Sequence, residues 1–376
     1  MTAGWTAEVA ARTDGIVRDG RWRTLRPLRG AGPEFTLPDG REVISFASND
    51  YLGLSQHPAV KRAATEAIDE FGTGAGSARL IVGDRPVHHA LECALAEWKD
   101  AEAAVLFPTG FMANLGVLAT LGGEGVLIVS DERNHASIID GCRMSRASIA
   151  VSRHRDAGHV AELLASHRGL SIVVSDTVFS MDGDEASLDD LGAVCTAHGA
   201  LLILDDAHAV LGVDWTPPPG LDLLRVGTLS KTLGALGGFV TGPRRFIDVL
   251  VNAARPFIFT TGSSPADSAA ALAALRVLRA PEGAELVDRL RSTVRRVKPG
   301  HPSPILPVVI GGEAAAVAAS ARLLDDYGLL VPAIRPPTVA PGTSRLRIAL
   351  SAMHTDAHIE RLLRALDRSL ACSSSA

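Results

Sequence analysis

The stretch 171-SIVVSDTVFSMDGDEASLDDLGAVCTAHGALLILDD-206 holds two apolar runs with a helical pattern between them. The runs 171-SIVVSD-176 and 200-ALLILDD-206 are apolar on both faces, and 187-SLDDLGAVCTAHG-199 has helical spacing. Strands that are apolar all round and alternate with helices belong to a mostly parallel sheet covered on both sides. Outward from this unit the same alternation recurs, with apolar runs at 103-AAVLFP-108, 126-VLIVS-130, 223-LLRVGT-228 and 237-GGFVTG-242. Helical patterns such as 86-PVHHALECALAEWKD-100 lie between most of them. In such a sheet the functional residues gather at the carboxyl ends of the strands.

The ends of the chain differ from this middle. The first forty residues are rich in Arg and Gly and weakly periodic, which predicts a short helix and then irregular chain to about Gly40. A strand and turn follow at 43-VISFASNDYLGLS-55, and Ser55 and Pro58 open a helix that stops at the glycines of 72-GTGAGSARLIVG-83. After about Pro265 an alanine-rich helical stretch leads to the strand-like segments 304-PILPVVIG-311 and 345-RLRIALS-351. The expected division is an N-terminal segment over 1–45, a large α/β domain over 46–265, a small C-terminal α/β domain over 266–370 and a tail over 371–376.

Composition narrows the function. The chain has 376 residues, 47% of them hydrophobic, which is ample for a large core. A net charge of −5 and 4% aromatic residues leave neither the charge nor the stacking platforms for nucleic acid. Cys93, Cys142, Cys195 and Cys372 have neither zinc-finger nor CxxC spacing, so the sequence points to no metal and to reduced thiols, as in a cytoplasmic enzyme. The start carries no apolar signal region and no apolar run is long enough to span a membrane.

Polar groups stand at the ends of the apolar runs. Gly110 opens a helix after 103–108, with backbone N–H groups suited to a phosphate. His135 follows 126–130, Ser180 follows 171–176, Asp205 and His208 follow 200–204, and Lys231 lies in 226-VGTLSKTLGALGGFV-240, which has no other charge. The strand-end aspartate alone is evenly balanced between a turn residue and a placed charge, and the glycine, the histidine and the lysine alone are more often a cap, a turn or a surface residue. Together they make a phosphate cradle, a stacking ring, hydroxyl donors, a carboxylate and a desolvated amine. That inventory suits pyridoxal phosphate (PLP), which needs a Schiff-base lysine and an aspartate facing its pyridine nitrogen.

At this point the chain resembles the α-oxoamine synthase family of fold-type-I PLP enzymes. The landmarks are SNDYLGLS (48–55), GTGAGSARLIVG (72–83), FPTGFMANLG (107–116), NHASIIDGCR (134–143), HRD (154–156), VFSMDGDEASL (178–188), DDAH (205–208), TLSKTLGALGG (228–238) and RPPTVAPGTSRLRIALSA (335–352). The resemblance covers about residues 40–366 and rests on the ordered set. It implies that Lys231 bonds the cofactor, Asp205 faces the pyridine nitrogen and His135 stacks on the ring. It places Ser180 and His208 near the phenolic oxygen, and Gly110, Phe111 and Thr228 at the phosphate, with Thr261 lent by a second subunit of a homodimer. Arg347 would hold a substrate carboxylate, Asn49 and Thr338 would line the substrate space, and Arg23, with Arg21 and Arg26 close by, would meet substrate from the N-terminal segment.

The motif 335-RPPTVAPGTSRLR-347 favours the biotin-pathway member of the family. That implies decarboxylative condensation of L-alanine with a pimeloyl thioester of coenzyme A or acyl carrier protein. A sister synthase using glycine or another acyl group, an aminotransferase and a non-catalytic PLP-binding regulator stay open as alternatives. Two departures stand out: the short, proline-rich 209-AVLGVDWTPPPG-220 replaces a glycine-rich loop, and Asp176 stands where a glutamate is common.

Overall fold

The computed structural model describes residues 4–213 and 215–371, so the expected tail over 371–376, with Cys372, lies outside it except for Ala371, which ends a helix. In chain order the elements begin with α1 (Trp5–Arg18), β1 (Arg29–Ala31), β2 (Glu34–Thr36), β3 (Glu42–Ser45), α2 (Pro58–Phe71), α3 (Pro86–Trp98), β4 (Ala103–Phe107), α4 (Gly110–Leu121) and β5 (Leu127–Asp131). They continue with α5 (Ala136–Met144), β6 (Ser148–Ser152), α6 (Ala157–Ala165), β7 (Ser171–Asp176), α7 (Leu188–His198), β8 (Leu201–Asp205), β9 (Leu223–Thr228) and β10 (Gly238–Gly242). The rest are α8 (Arg244–Ala253), α9 (Arg255–Ile258), α10 (Pro265–Arg279), α11 (Pro281–Val297), β11 (Ile305–Gly311), α12 (Glu313–Tyr327), β12 (Leu329–Leu330), β13 (Ala333–Ile334), β14 (Ser344–Ala349) and α13 (Asp356–Ala371).

Compactness divides the chain into two units. The larger holds Ala47–Pro307 and Ile348–Ile359; the smaller holds the chain up to Phe46, Val308–Arg347 and the chain from Glu360 on. These units differ from the division expected near residues 45 and 265. Residues 266–307 stay with the larger unit because α10 packs on α2, α3 and α11.

The larger unit is built on a seven-stranded sheet in the order β4-β10-β9-β8-β7-β5-β6. All neighbours are parallel except β10, which runs antiparallel to β4 and β9. The expected mostly parallel, helix-covered sheet is therefore present. Alternation along the strands fills a separate core on each face. Ile128, Val174, Ile203 and Val226 pack with Val117 and Leu118 of α4 and Ile138 of α5. Val129, Val173, Leu202 and Leu204 pack with Leu164 of α6 and Leu191 and Cys195 of α7. Strands buried on both faces need the continuous apolar runs seen in the sequence. Edge strand β6 is largely exposed, and although 148-SIAVS-152 is apolar over its three middle residues it escaped the sequence reading.

The smaller unit contains a four-stranded sheet, β1-β2-β3-β12, in which β12 runs parallel to β3. Here the expectation of irregular chain to Gly40 needs correction. β1 and β2 form an antiparallel hairpin between residues 29 and 36. Strands of three residues with mostly exposed side chains leave no alternation to read.

Candidate active site

Lys231 sits in a loop that closes on itself after β9. Leu229 N donates to Gly237 O at 2.9 Å, Ala235 N to Leu229 O at 2.9 Å, and Gly234 N to Lys231 O at 3.2 Å. The glycines around Lys231 admit protein backbone. Gly234 has φ +62°, and a Cβ there would lie 2.3 Å from Ser55 N. At Gly238 a Cβ would lie 2.5 Å from Gly110 N, so this residue must be glycine for β10 to seat the start of α4. Thr109 caps that helix: its Oγ1 accepts from Met112 N at 3.1 Å. The Lys231 amine is 2.9 Å from His208 Nε2.

Asp205 ends β8, Asp206 follows it, and the two point to opposite sides of the sheet. Asp205 follows Ile203 toward α4, where its Oδ2 accepts from Asn114 Nδ2 at 2.6 Å and its Oδ1 from Ala207 N at 2.9 Å. Asp206 follows Leu204 to the other side. It meets Lys99 Nζ at 2.8 Å, Arg225 Nη1 at 3.1 Å and Thr177 Oγ1 at 2.6 Å. Burial alone would raise the Asp206 pKa, but the cations of Lys99 and Arg225 outweigh it and hold Asp206 below the ordinary range. Asp206 is thus engaged in a buried ion cluster. Asp176 pairs with Asp205 across β7 and β8 and faces the same side. Burial, with repulsion from Asp205, raises its pKa well above the usual value.

His135 caps α5, its Nδ1 accepting from Ser137 N at 3.3 Å. Its own N–H donates to Asp176 Oδ2 at 2.8 Å. The preceding Asn134 pins the loop to β7, donating to Val174 O at 2.8 Å and accepting from Asp176 N at 2.9 Å. Burial lowers the His135 pKa; Asp205 opposes the shift and Lys231 adds to it, so the ring is neutral at pH 7. The Phe111 ring meets it edge-on, with centroids 6.5 Å apart.

One cavity of about 260 Å³ gathers Gly110, Phe111, His135, Asp205, His208, Thr228 and Lys231. Asn49 is not in its lining, but it reaches His208 through Tyr51. Ser180 is buried in the turn after β7 and Thr261 is exposed; neither lines the cavity. Arg23, Thr338 and Arg347 belong to the smaller unit. There Arg347 is buried in β14, Thr338 is exposed, and Arg23 is exposed. Arg21 is paired with Glu313 at 3.0 Å, and Arg26 lines a separate cavity of that unit. The sequence reading left out Asn114, Ser137, Asp176, Ser230 and Tyr51 as site residues. Asn114 carried a signal, because four residues after Gly110 is the same helix face. None of the described residues of the proline-rich 209–220 segment is in the lining; Trp215 packs on the core beneath α6 and α7, and the Arg225 guanidinium lies 5.4 Å from its ring centroid.

The donor set fits pyridoxal phosphate. The first N–H groups of α4, with the hydroxyls of Thr228 and Ser230, suit a phosphate. Asn114, one turn and about 6 Å further along α4, hydrogen-bonds the carboxylate of Asp205, which suits a protonated ring nitrogen. The Lys231 amine suits an aldehyde, and the neutral His135 offers a ring face. Asn114 Oδ1 is buried without a hydrogen-bond partner beside this space. Among the described residues no cluster suits a metal ion, and no helix is long and apolar enough to cross a membrane.

Residues 41–366 match the family described as aminotransferase class I and II. The 8-amino-7-oxononanoate synthase of Anaeromyxobacter dehalogenans is 44% identical over 97% of this chain and 96% of its own length. The serine palmitoyltransferase of Sphingomonas wittichii superposes with a TM-score of 0.90 at 30% identity, covering 99% of both chains. A high-resolution structure of SPT with PLP gives a TM-score of 0.89 at 30% identity, covering 98% of both chains.

Proposed function

The chain belongs to the aminotransferase class I and II family and is a PLP-dependent enzyme of fold type I, and on that premise we propose that it condenses L-alanine with a pimeloyl thioester to give 8-amino-7-oxononanoate, carbon dioxide and the free thiol carrier. The observation that carries this reading is the meeting of Lys231, Asp205, His135 and His208 in one cavity of a chain that matches an 8-amino-7-oxononanoate synthase along nearly its whole length.

When bound, PLP supplies an electron sink for the carbon that loses its proton and later its carboxylate. The protein's residues do the rest. Gly110, Phe111 and Thr228 would hold the phosphate, with α4 directing its N–H groups there. Asp205, kept in place by Asn114 and the Ala207 N–H, would keep the pyridine nitrogen protonated. A neutral His135 would pack on the ring without placing a positive charge beside it. The Lys231 amine, hydrogen-bonded to His208, is the base that takes the alanine Cα proton and later returns one to the product. Arg347 would hold the alanine carboxylate by a bidentate pair, which lysine cannot copy. Arg23 and Thr338 would meet the acyl substrate. A cytoplasmic homodimer, with Thr261 lent across the interface, completes the proposal.

The test is thiol release measured across a panel of amino acids and acyl thioesters on both carriers. L-Alanine with pimeloyl thioester should give the highest kcat/KM, with acetyl and palmitoyl thioesters much poorer. A single methyl is worth only about 1–3 kcal/mol, so glycine will discriminate less well than the acyl group. Borohydride treatment of the loaded enzyme should fix the cofactor to Lys231. Preference for serine with a palmitoyl thioester, or for glycine with a short acyl group, would refute the substrate pair.

A further inference from the structure

Asn114 and Ser137 join two cavity groups that stand at the ends of different strands. Asn114 lies on α4 and Ser137 in the first turn of α5, and both are buried. Asn114 Nδ2 donates to Asp205 Oδ2 at 2.6 Å and to Ser137 Oγ at 2.9 Å. Its Oδ1 is buried and has no hydrogen-bond partner. The Ser137 hydroxyl lies 2.8 Å from His135 Nδ1, and the Ser137 backbone N–H donates to the same nitrogen at 3.3 Å.

Two groups in this chain can only donate, and they set its direction. A backbone N–H has no lone pair to offer, so His135 Nδ1 is an acceptor, and in a neutral ring the proton sits on Nε2. An amide nitrogen likewise only donates. Turning the Asn114 amide over would set its oxygen against the Asp205 carboxylate, two acceptors with no proton between them. The amide is therefore held with both N–H groups used, one on Asp205 and one on a lone pair of Ser137. The Ser137 hydroxyl then turns its one proton to His135 Nδ1. We propose that Asn114 is a positioning residue that fixes Asp205 directly and, through Ser137, locks His135 in its Nε2–H tautomer. A buried acceptor left unmade is costly, and the two donor contacts of the same amide offset that cost. The His135 nitrogen that α5 does not hold is thereby a donor, so a group seated beside it must be an acceptor.

The inference rests on the reading of Asp205 and His135 as PLP-facing groups but not on the substrate pair. The first test is ¹⁵N NMR of the PLP-loaded enzyme with labelled histidine, His135 being assigned by the signals lost in His135→Gln. Near neutral pH its Nε2 should be protonated and its Nδ1 unprotonated. A protonated Nδ1 in the parent enzyme would overturn the proposal without any further variant. The second test compares Asn114→Ala with Ser137→Ala. Both should admit the Nδ1–H tautomer, so the two ¹⁵N shifts of His135 should move toward each other. Asn114→Ala alone also releases Asp205. Its dissociation constant for PLP, followed by visible absorption, should rise about tenfold, the worth of one hydrogen bond to a charged group, while that of Ser137→Ala stays within about twofold of the parent. Unmoved His135 shifts in Asn114→Ala, or equal losses of PLP affinity in the two variants, would sink the assignment. No substrate enters either measurement, so failure of the pimeloyl reading leaves this result standing, and failure here leaves that reading open.

Discussion

Asp205 and Asp206 are adjacent in sequence and opposite in role. Asp205 faces the cavity through Asn114, whereas Asp206 is held by Lys99, Arg225 and Thr177. Asp205→Asn keeps the shape and removes the charge. Its kcat should fall about 10²–10³-fold, a loss of about 3–4 kcal/mol of transition-state stabilisation, with little change in cofactor content or melting temperature. Asp206→Asn should do the reverse. Leaving Lys99 and Arg225 facing a neutral group should cost about 3–5 kcal/mol of stability, read by urea denaturation, while the visible spectrum of the bound cofactor stays the same. Near-normal turnover in Asp205→Asn would remove that residue from the catalytic account.

At the scale of elements, His154 ties two site-bearing loops together. Its Nδ1 lies 3.0 Å from Asp131 at the end of β5, and its Nε2 lies 2.8 Å from Asp184 in the turn after β7. Arg155 also approaches Asp184, at 3.7 Å, and the His154 ring packs edge-on against Phe179, 4.4 Å between centroids. The first loop leads to His135 and the second carries Ser180. Burial opposes the charged imidazole, but the two carboxylates prevail and raise its pKa to about 9. The sign of the linkage follows. A histidine with a folded pKa above its unfolded value of about 6.5 gives stability that is complete below about pH 6.5. That stability is lost as pH rises through about 9. Urea midpoints measured from pH 6 to 9.5 should therefore fall in the parent protein, and His154→Gln should be less stable at pH 6 and lack that fall. Parallel curves for the two proteins would show that His154 is uncharged in the folded state.

At the scale of the whole molecule, the proposed shared-site dimer predicts complementation. Lys231→Ala and Thr261→Ala subunits, each inactive or weak alone, should regain part of the activity on mixing, because one of the two sites in a heterodimer is intact. An active species that sediments as a monomer would exclude a lent Thr261. Much of this protein was legible before folding. A strand buried on both faces must be apolar throughout, so the parallel sheet left its record in the runs of 126–130, 171–176 and 200–206. Sharp turns at strand ends restrict residue type, so the glycines, His135, Asp205 and Lys231 stood out in order, and the family with them. The short exposed strands β1 and β2 are under no such constraint and were not readable. That Asp205 and Asp206 face opposite ways, and which of them meets the cavity, was decided by the packing of α4 against the sheet. Tyr51 and His208 are 157 residues apart and meet through a hydrogen bond and an edge-on ring contact. A contact of that kind leaves no local pattern, so the sequence by itself determined the sheet and the reactive residue types, and the tertiary structure decided which buried partners aim them.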